Sequence, residues 1–195
     1  EDAYSPDGRH DMRPEYPTIV YSQILRSLYP DVPIILGGIE ASLRRLTHYD
    51  YWQDTLRKCI LCDSGADMII YGMGEKPVIE LCQRLDKNIP IYNITNIPQT
   101  VYLAPETDIN GNISSNDIVL HSHEECLKDK KAQASNFRHI EEESNKMHAQ
   151  RLLQKVAMCS LRKFQKIDEI SLSCLQKRGR HMLIRLCCRW KKWKK

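Results

Sequence analysis

The stretch "VPIILGGIEASLRR", Val32 to Arg45, decides how the rest of the chain is read. After a proline, Ile34, Ile35 and Leu36 form an apolar run with the length and bounds of a buried strand. Gly37 and Gly38 end it, because glycine turns the backbone tightly and leaves no side chain over the turn. Glu40, Ala41 and Leu43 then suit a helix, with the acid near the positive end of the helix dipole. Strand, glycine turn and helix present backbone N–H groups to a ligand, and they are also how many α/β proteins turn a corner. On this stretch alone both readings stand.

The same order returns about 35 residues later in "ADMIIYGMGEKPVIELCQRL", residues 66–85. Met68 to Tyr71 make a second short apolar strand, and Gly72 and Gly74 a second glycine turn. Glu75 is a second acid, and Val78, Ile79, Leu81, Cys82 and Leu85 an amphipathic helix. That separation, with helical sequence between, is what a right-handed βαβ crossover needs. Two parallel strands would then end at one sheet edge, where α/β proteins place their ligands. The fold expected is α/β, a Rossmann-like parallel sheet flanked by helices. Gly37, Gly38, Glu40, Gly72, Gly74 and Glu75 are the candidate cofactor-binding residues around a shared crevice.

Around this unit the pattern is simpler. Residues up to Pro17 read as loop, Thr18–Tyr29 as a helix, "HYDYW" (His48–Trp52) as an aromatic turn, and Asp54–Leu61 as another helix. Residues 91–120 read as short strands and turns, including "TVYLA" and "DINGN". Ser122 and Glu125 fit a capping box, opening a long charged helix to about Val156 with a thin seam through Leu127, Ala134, Phe137, Ile140, Met147, Leu152 and Val156. The expected organisation is an α/β domain over 1–121, the charged helix over 122–156, and a tail over 157–195.

Charge divides along the same line. The 195 residues carry a net +4, yet residues 157–195 hold 12 Lys or Arg against 2 Asp or Glu, and residues 1–156 hold 17 against 23. The tail reads as a reading-frame change or aberrant terminus, poorly ordered; an evolved nucleic-acid arm using Trp190 and Trp193 for stacking is the alternative. No apolar run approaches the ~20 residues of a membrane span. Eight irregularly spaced cysteines fit reduced thiols in the cytoplasm. Cys59 and Cys62 read as core residues, and His121, His123 and Cys126 as a helix start, rather than as metal ligands.

Three segments carry a resemblance: "DAYSPDGRHDMRPEYPTIVYSQILRSLYPDVPIILGGIEASLRRLTHYDYW", "CDSGADMIIYGMGEKPVIEL" and "ECLKDKKAQASNFRHIEEESNKMHAQRLLQK". Over about residues 2–156 the chain resembles the amino-terminal region of YgiQ-type radical SAM proteins. Its doubled glycine turns resemble the cobalamin-binding-type domains attached to many radical SAM enzymes. The resemblance implies a longer protein in which a barrel, held as a partner domain, binds a [4Fe–4S] cluster through C-x₃-C-x₂-C and cleaves S-adenosylmethionine. Cysteines here stand at 59, 62, 82, 126, 159, 174, 187 and 188, and no three share that spacing. No Asp has a His two positions later, so the D-x-H-x-x-G cobalamin ligand motif is absent too. The expectation is an amino-terminal accessory fragment, inactive alone and without a cofactor of its own. A free-standing nucleic-acid-binding module and a nucleotide- or phosphate-binding α/β domain are the rival readings.

Overall fold

Two very short strands, β1 (Ile35–Leu36) and β4 (Met68–Ile70), pair in parallel, with Ile35 opposite Met68 and Leu36 opposite Ile69. Alternation along a strand sends their side chains to opposite faces. Leu36 and Ile69 join Ala41, Ile60, Leu61 and Val101 on one face, while Met68 and Ile70 join Leu81, Ile94 and Ile97 on the other. Helices therefore cover both faces, and the strands are apolar throughout for that reason. The structure is a computed structural model and describes residues 6–10, 12, 14–105, 115, 117–144, 146, 151–157 and 181–187.

Helix α1 (Pro17–Leu28) starts on a proline that needs no N–H partner at that position. At its start the Thr18 hydroxyl donates to Glu40 in α2 (Gly38–Leu43), which follows β1. Near its end Arg26 Nη2 reaches Asp67 Oδ2 at 2.6 Å, just before β4, and the same oxygen accepts the Ile34 N–H at 2.7 Å. Helix α1 thus runs antiparallel to β1 and β4, from their carboxyl edge back to their amino edge. Between α2 and β4 come a hairpin of β2 (His48–Asp50) and β3 (Thr55–Arg57) and the short helix α3 (Ile60–Ser64).

After β4, helix α4 (Glu75–Asp86) returns along the opposite face. The chain then runs back over that core through Ile91, Ile94 and Ile97, so that β5 (Thr100–Pro105) enters beside β4 with Thr100 opposite Ile70. The pair is antiparallel. Strands β6 (Asp117–Leu120), β7 (Arg151–Ala157) and β8 (His181–Cys187) complete a six-stranded sheet in the order β1-β4-β5-β8-β7-β6. Among the described residues, only β1–β4 and β6–β7 are parallel pairs.

The sheet is therefore mixed, which corrects the expectation of a Rossmann-like parallel sheet. The return over residues 87–99, through a 3₁₀ turn at Ile91–Asn93, carries the chain to the carboxyl edge before β5 begins, so a parallel entry is lost. The long charged helix to Val156 is corrected as well. The capping box at Ser122 and Glu125 opens α5 (His123–Lys128), extended Asp129 separates it from α6 (Lys130–Ser144), and residues 151–157 are strand. Leu152, Leu153 and Gln154 are consecutive and buried, as in a strand covered on both faces. Arg151 fixes the register by bonding the Asp117 carboxylate opposite it, Nε to Oδ1 at 2.8 Å. Likewise Asp54–Leu61 is the end of the hairpin, β3 and the start of α3, not one helix. The "DINGN" turn and Met147 lie outside the described residues. Within the tail, residues 181–187 pair with β5 and β7.

Candidate functional site

Both glycine turns leave the sheet at the same edge. Gly37 is the N-cap of α2 in extended backbone, and Gly38 follows with φ 78°. Gly72 has φ 68°, and Gly74 is the N-cap of α4. They are neighbours in space: the Gly72 N–H points to the Ser42 hydroxyl at 3.3 Å, and a Cβ on Gly37 would sit 3.6 Å from the Ile70 carbonyl. The βαβ reading of these two strands and their shared edge is what the structure contains.

The acids do not converge there. Glu40 accepts the Thr18 hydroxyl and pairs with Arg44 at 3.2 Å, so it ties α2 to the start of α1. Glu75 is exposed in the first turn of α4, where the helix dipole favours it. The two helices pack on opposite faces of the sheet, Ala41 in one core cluster and Leu81 in the other. Around the turns the surface is apolar instead: Ile39 is 81% exposed, Leu43 70% and Met73 65%. Ile39 and Leu43 stand four apart on α2 and so share one of its faces. Beneath them, Gln99 clasps Tyr71 with two hydrogen bonds, its carbonyl accepting the Tyr71 N–H at 3.1 Å and its amide donating to the Tyr71 carbonyl at 3.2 Å. The Arg45 guanidinium lies 5.0 Å from the centre of the Tyr71 ring.

A second polar group, invisible as such in the sequence, braces the first turn. Asp50 in "HYDYW" accepts the Tyr16 hydroxyl at 2.9 Å and the N–H groups of Trp52 and Gln53 at 3.1 and 3.4 Å. Arg57 approaches it at 3.9 Å, bonds Asp63 at 2.9 Å and lies over the Tyr16 ring at 4.7 Å; Arg44 covers that ring at 5.4 Å. Burial alone would raise the Asp50 pKa, but the Tyr16 hydroxyl, the two N–H groups and Arg44 outweigh it and hold it below the ordinary value. The available signal was an Asp two and three residues before the N–H groups it captures, the mark of an Asx turn. The aromatic residues Tyr51 and Trp52 stay exposed beside it.

Cys59, Cys62, Cys126 and His123 are taken up by packing. Cys59 is fully buried and its pKa is pushed well up by burial; burial also pushes Cys62 up to about 12. His123 is buried with Nδ1 3.2 Å from the Thr47 hydroxyl. The Cys126 thiol accepts Asn136 Nδ2 at 3.2 Å. Among the described residues no three His, Cys, Asp or Glu side chains are grouped to hold a metal ion. The cysteines of this chain do not fit a radical SAM cluster, because the C-x₃-C-x₂-C spacing is missing from the sequence. No helix among the described residues is long and apolar enough to cross a membrane.

Comparison with known proteins agrees with the residues that carried the resemblance. A family model described as "Radical SAM N-terminal" matches residues 1–172. A "UPF0313 protein" of Bacteroides thetaiotaomicron is 62% identical over 167 residues, covering 80% of this chain and 27% of that protein. One from Porphyromonas gingivalis is 59% identical over 158 residues, covering 80% and 24%, and one from Clostridium perfringens is 42% identical over 154, covering 79% and 23%. No solved structure matches the chain. It spans about a quarter of the length of the relatives it matches. With its family model matched over most of the sequence, the chain belongs to the radical SAM N-terminal family.

Proposed function

We propose that this chain is the amino-terminal accessory region of a YgiQ-type radical SAM protein and that its glycine-turn edge docks the barrel domain. One observation carries this reading: two close-approach glycine turns share an edge with the exposed apolar side chains of Ile39, Leu43 and Met73. In this reading Gly37, Gly38, Gly72 and Gly74 keep the edge low enough for another backbone to approach. Glu40 orders α1 against α2, and Glu75 sits at the rim. A phosphate-cradle role is disfavoured by Glu75, whose negative charge stands exposed in the first turn of α4 at this edge. The [4Fe–4S] cluster and S-adenosylmethionine belong to the longer partner, and the chain alone is inactive. A cytoplasmic location suits the free thiols of Cys59, Cys62, Cys82 and Cys126.

The test joins residues 1–156 to the Bacteroides relative in place of that protein's own amino-terminal region. Hydroxyl-radical footprinting of Ile39, Leu43 and Met73 should show strong oxidation in the isolated chain and protection in the chimera. Reductive cleavage of S-adenosylmethionine after anaerobic reconstitution should occur with the chimera only. Equal oxidation of those three residues in both proteins, or cleavage by the isolated chain, would overturn the reading.

A further inference from the structure

Helix α1 is built unlike the other long helices. Its sequence "PTIVYSQILRSL" holds a single charged residue, Arg26, and that residue is turned inward. Arg26 donates to the carbonyls of Pro30 and Val32 at 2.8 and 3.1 Å and pairs with Asp67. Ile19 packs on the core, Ser22 is buried, and Gln23 bonds the Asp63 carbonyl at 2.9 Å, so the 19-22-23-26 face is the inner one. The outer face is Tyr21, Ile24, Leu25 and Leu28, continued by Tyr29 and Val32, each between 46% and 64% exposed. A solvent-facing helix ordinarily carries charge on that side, as α6 does with Arg138 and Glu142. An uncharged apolar stripe at i, i+3, i+4 and i+7 is instead the signature of a face that another element covers.

We infer that the polypeptide following this region in the longer family members packs on the outer face of α1. This rests on the reading above only in naming the same polypeptide as occupant. Two facts favour it over a second copy. Six half-exposed side chains of this size offer about 600 Å² on one copy. Even complete burial on both would reach only the lower bound of the roughly 1,200–2,000 Å² that stable complexes bury. Contacts between domains of one chain hold at about 600–1,500 Å², helped by the covalent tether. And the relatives supply such a polypeptide, since this chain covers only 23–27% of their length.

Footprinting separates the outcomes. Tyr21, Leu25, Leu28 and Tyr29 should oxidise readily in the isolated chain at low and high concentration alike, and about fivefold more slowly in the chimera. Unchanged oxidation in the chimera overturns the inference. Protection that grows with concentration in the isolated chain assigns the face to a second copy, and protection at every concentration assigns it to this chain; both also overturn it. Met73 and Ile39 report the glycine edge in the same spectra, so one surface can fail while the other stands. Should the chimera fail to fold, the intact relative is footprinted at the positions aligned with α1: protection there supports the inference, and free oxidation overturns it. A Leu25→Lys, Leu28→Glu variant of the isolated chain should keep its urea midpoint; a fall would place the stripe in this chain's own core and end the proposal.

Discussion

The two glycine turns share a residue order and are held by different forces. The first has Gly38 in left-handed backbone with open space beyond it, and hangs on charge: Glu40 to Thr18 and Arg44, Arg44 over Tyr16, Tyr16 to Asp50. The second is held by fit. A Cβ on Gly72 would lie 3.2 Å from the Gln99 amide nitrogen, and one on Gly74 would lie 3.0 Å from a methyl of Ile70. Its acid, Glu75, stands exposed at the surface. What repeats in the sequence is thus the backbone solution for leaving a parallel strand and starting a helix at one edge. The acids after it have separate duties.

Gly72→Ala tests the fit most severely. The left-handed backbone costs an L-residue about 1–2 kcal/mol. Displacing the Gln99 amide from the Tyr71 carbonyl adds about 1 kcal/mol. A total loss of roughly 2–3 kcal/mol is expected in urea unfolding. A loss below about 1 kcal/mol would mean that the second turn yields as freely as the first. Gly74→Ala should cost less, about 1–2 kcal/mol, because its backbone is right-handed and only the Ile70 methyl is crowded. In an Ile70→Leu background that methyl is gone, and the cost should fall by about 1 kcal/mol. Additive effects of the two substitutions would remove Ile70 from the account.

Gly38→Ala isolates the backbone from the packing. With nothing within 4 Å of the added Cβ, the loss should stay near 1 kcal/mol, the lower end of the left-handed penalty. Gly38→Asn should recover part of it, since Asn enters that region more readily. If Asn proves no better than Ala, the strain at the first turn is not conformational.

Such contrasts mark how far the sequence could be read. The turns were legible because glycine reports a backbone requirement directly, and α1 and α4 because five or more apolar positions recur at helical spacing. Residues 151–157 were not. Leu152 and Val156 stand four apart, which suits a helix face as well as alternate positions on one face of a strand. The choice falls to partners 34 residues away, such as Asp117 opposite Arg151. Asp54–Leu61 failed for a similar reason: Asp54 adopts φ 49° to close the hairpin, an option that its neighbours' periodicity cannot report. The place of β8 between β5 and β7 has no local signal at all. Of the candidate site, sequence located the four glycines at one edge; of the expected turn His48–Trp52, His48–Asp50 are strand and only Tyr51 and Trp52 lie in the turn. It missed the brace under them, since Tyr16, Arg44, Asp50 and Arg57 meet only through the fold.

Acid should loosen the first turn before the second. The Asp50 pKa in the fold lies below its ordinary value of ~3.9, so its carboxylate contributes stability at neutral pH. That contribution is lost as pH falls through about 4 toward the folded value. Hydrogen exchange, corrected for intrinsic rates, should show α2 and the β2–β3 hairpin losing protection between pH 5 and pH 3 ahead of α4. Asp50→Asn should abolish that order. Simultaneous loss in both regions would show that the turns are one cooperative unit, and the contrast in their support would have no energetic consequence.

The smallest effect expected is a gain. Gly37 is the N-cap of α2, with φ −151° and ψ −172°, the extended conformation that cap residues adopt and any L-residue can hold. No side chain caps this helix now. A serine there could accept the Ile39 or Glu40 N–H, and its Cβ would stand at an ordinary 3.6 Å from the Ile70 carbonyl. Gly37→Ser should therefore raise stability by a few tenths of a kcal/mol, read as a small upward shift of the urea midpoint at constant slope. The same change at Gly74 meets the Ile70 methyl and should lower it. Opposite signs at two positions with one sequence pattern would be the most direct proof that the first turn has room and the second has none. A loss of 1 kcal/mol or more for Gly37→Ser would place the first turn under the same steric constraint as the second.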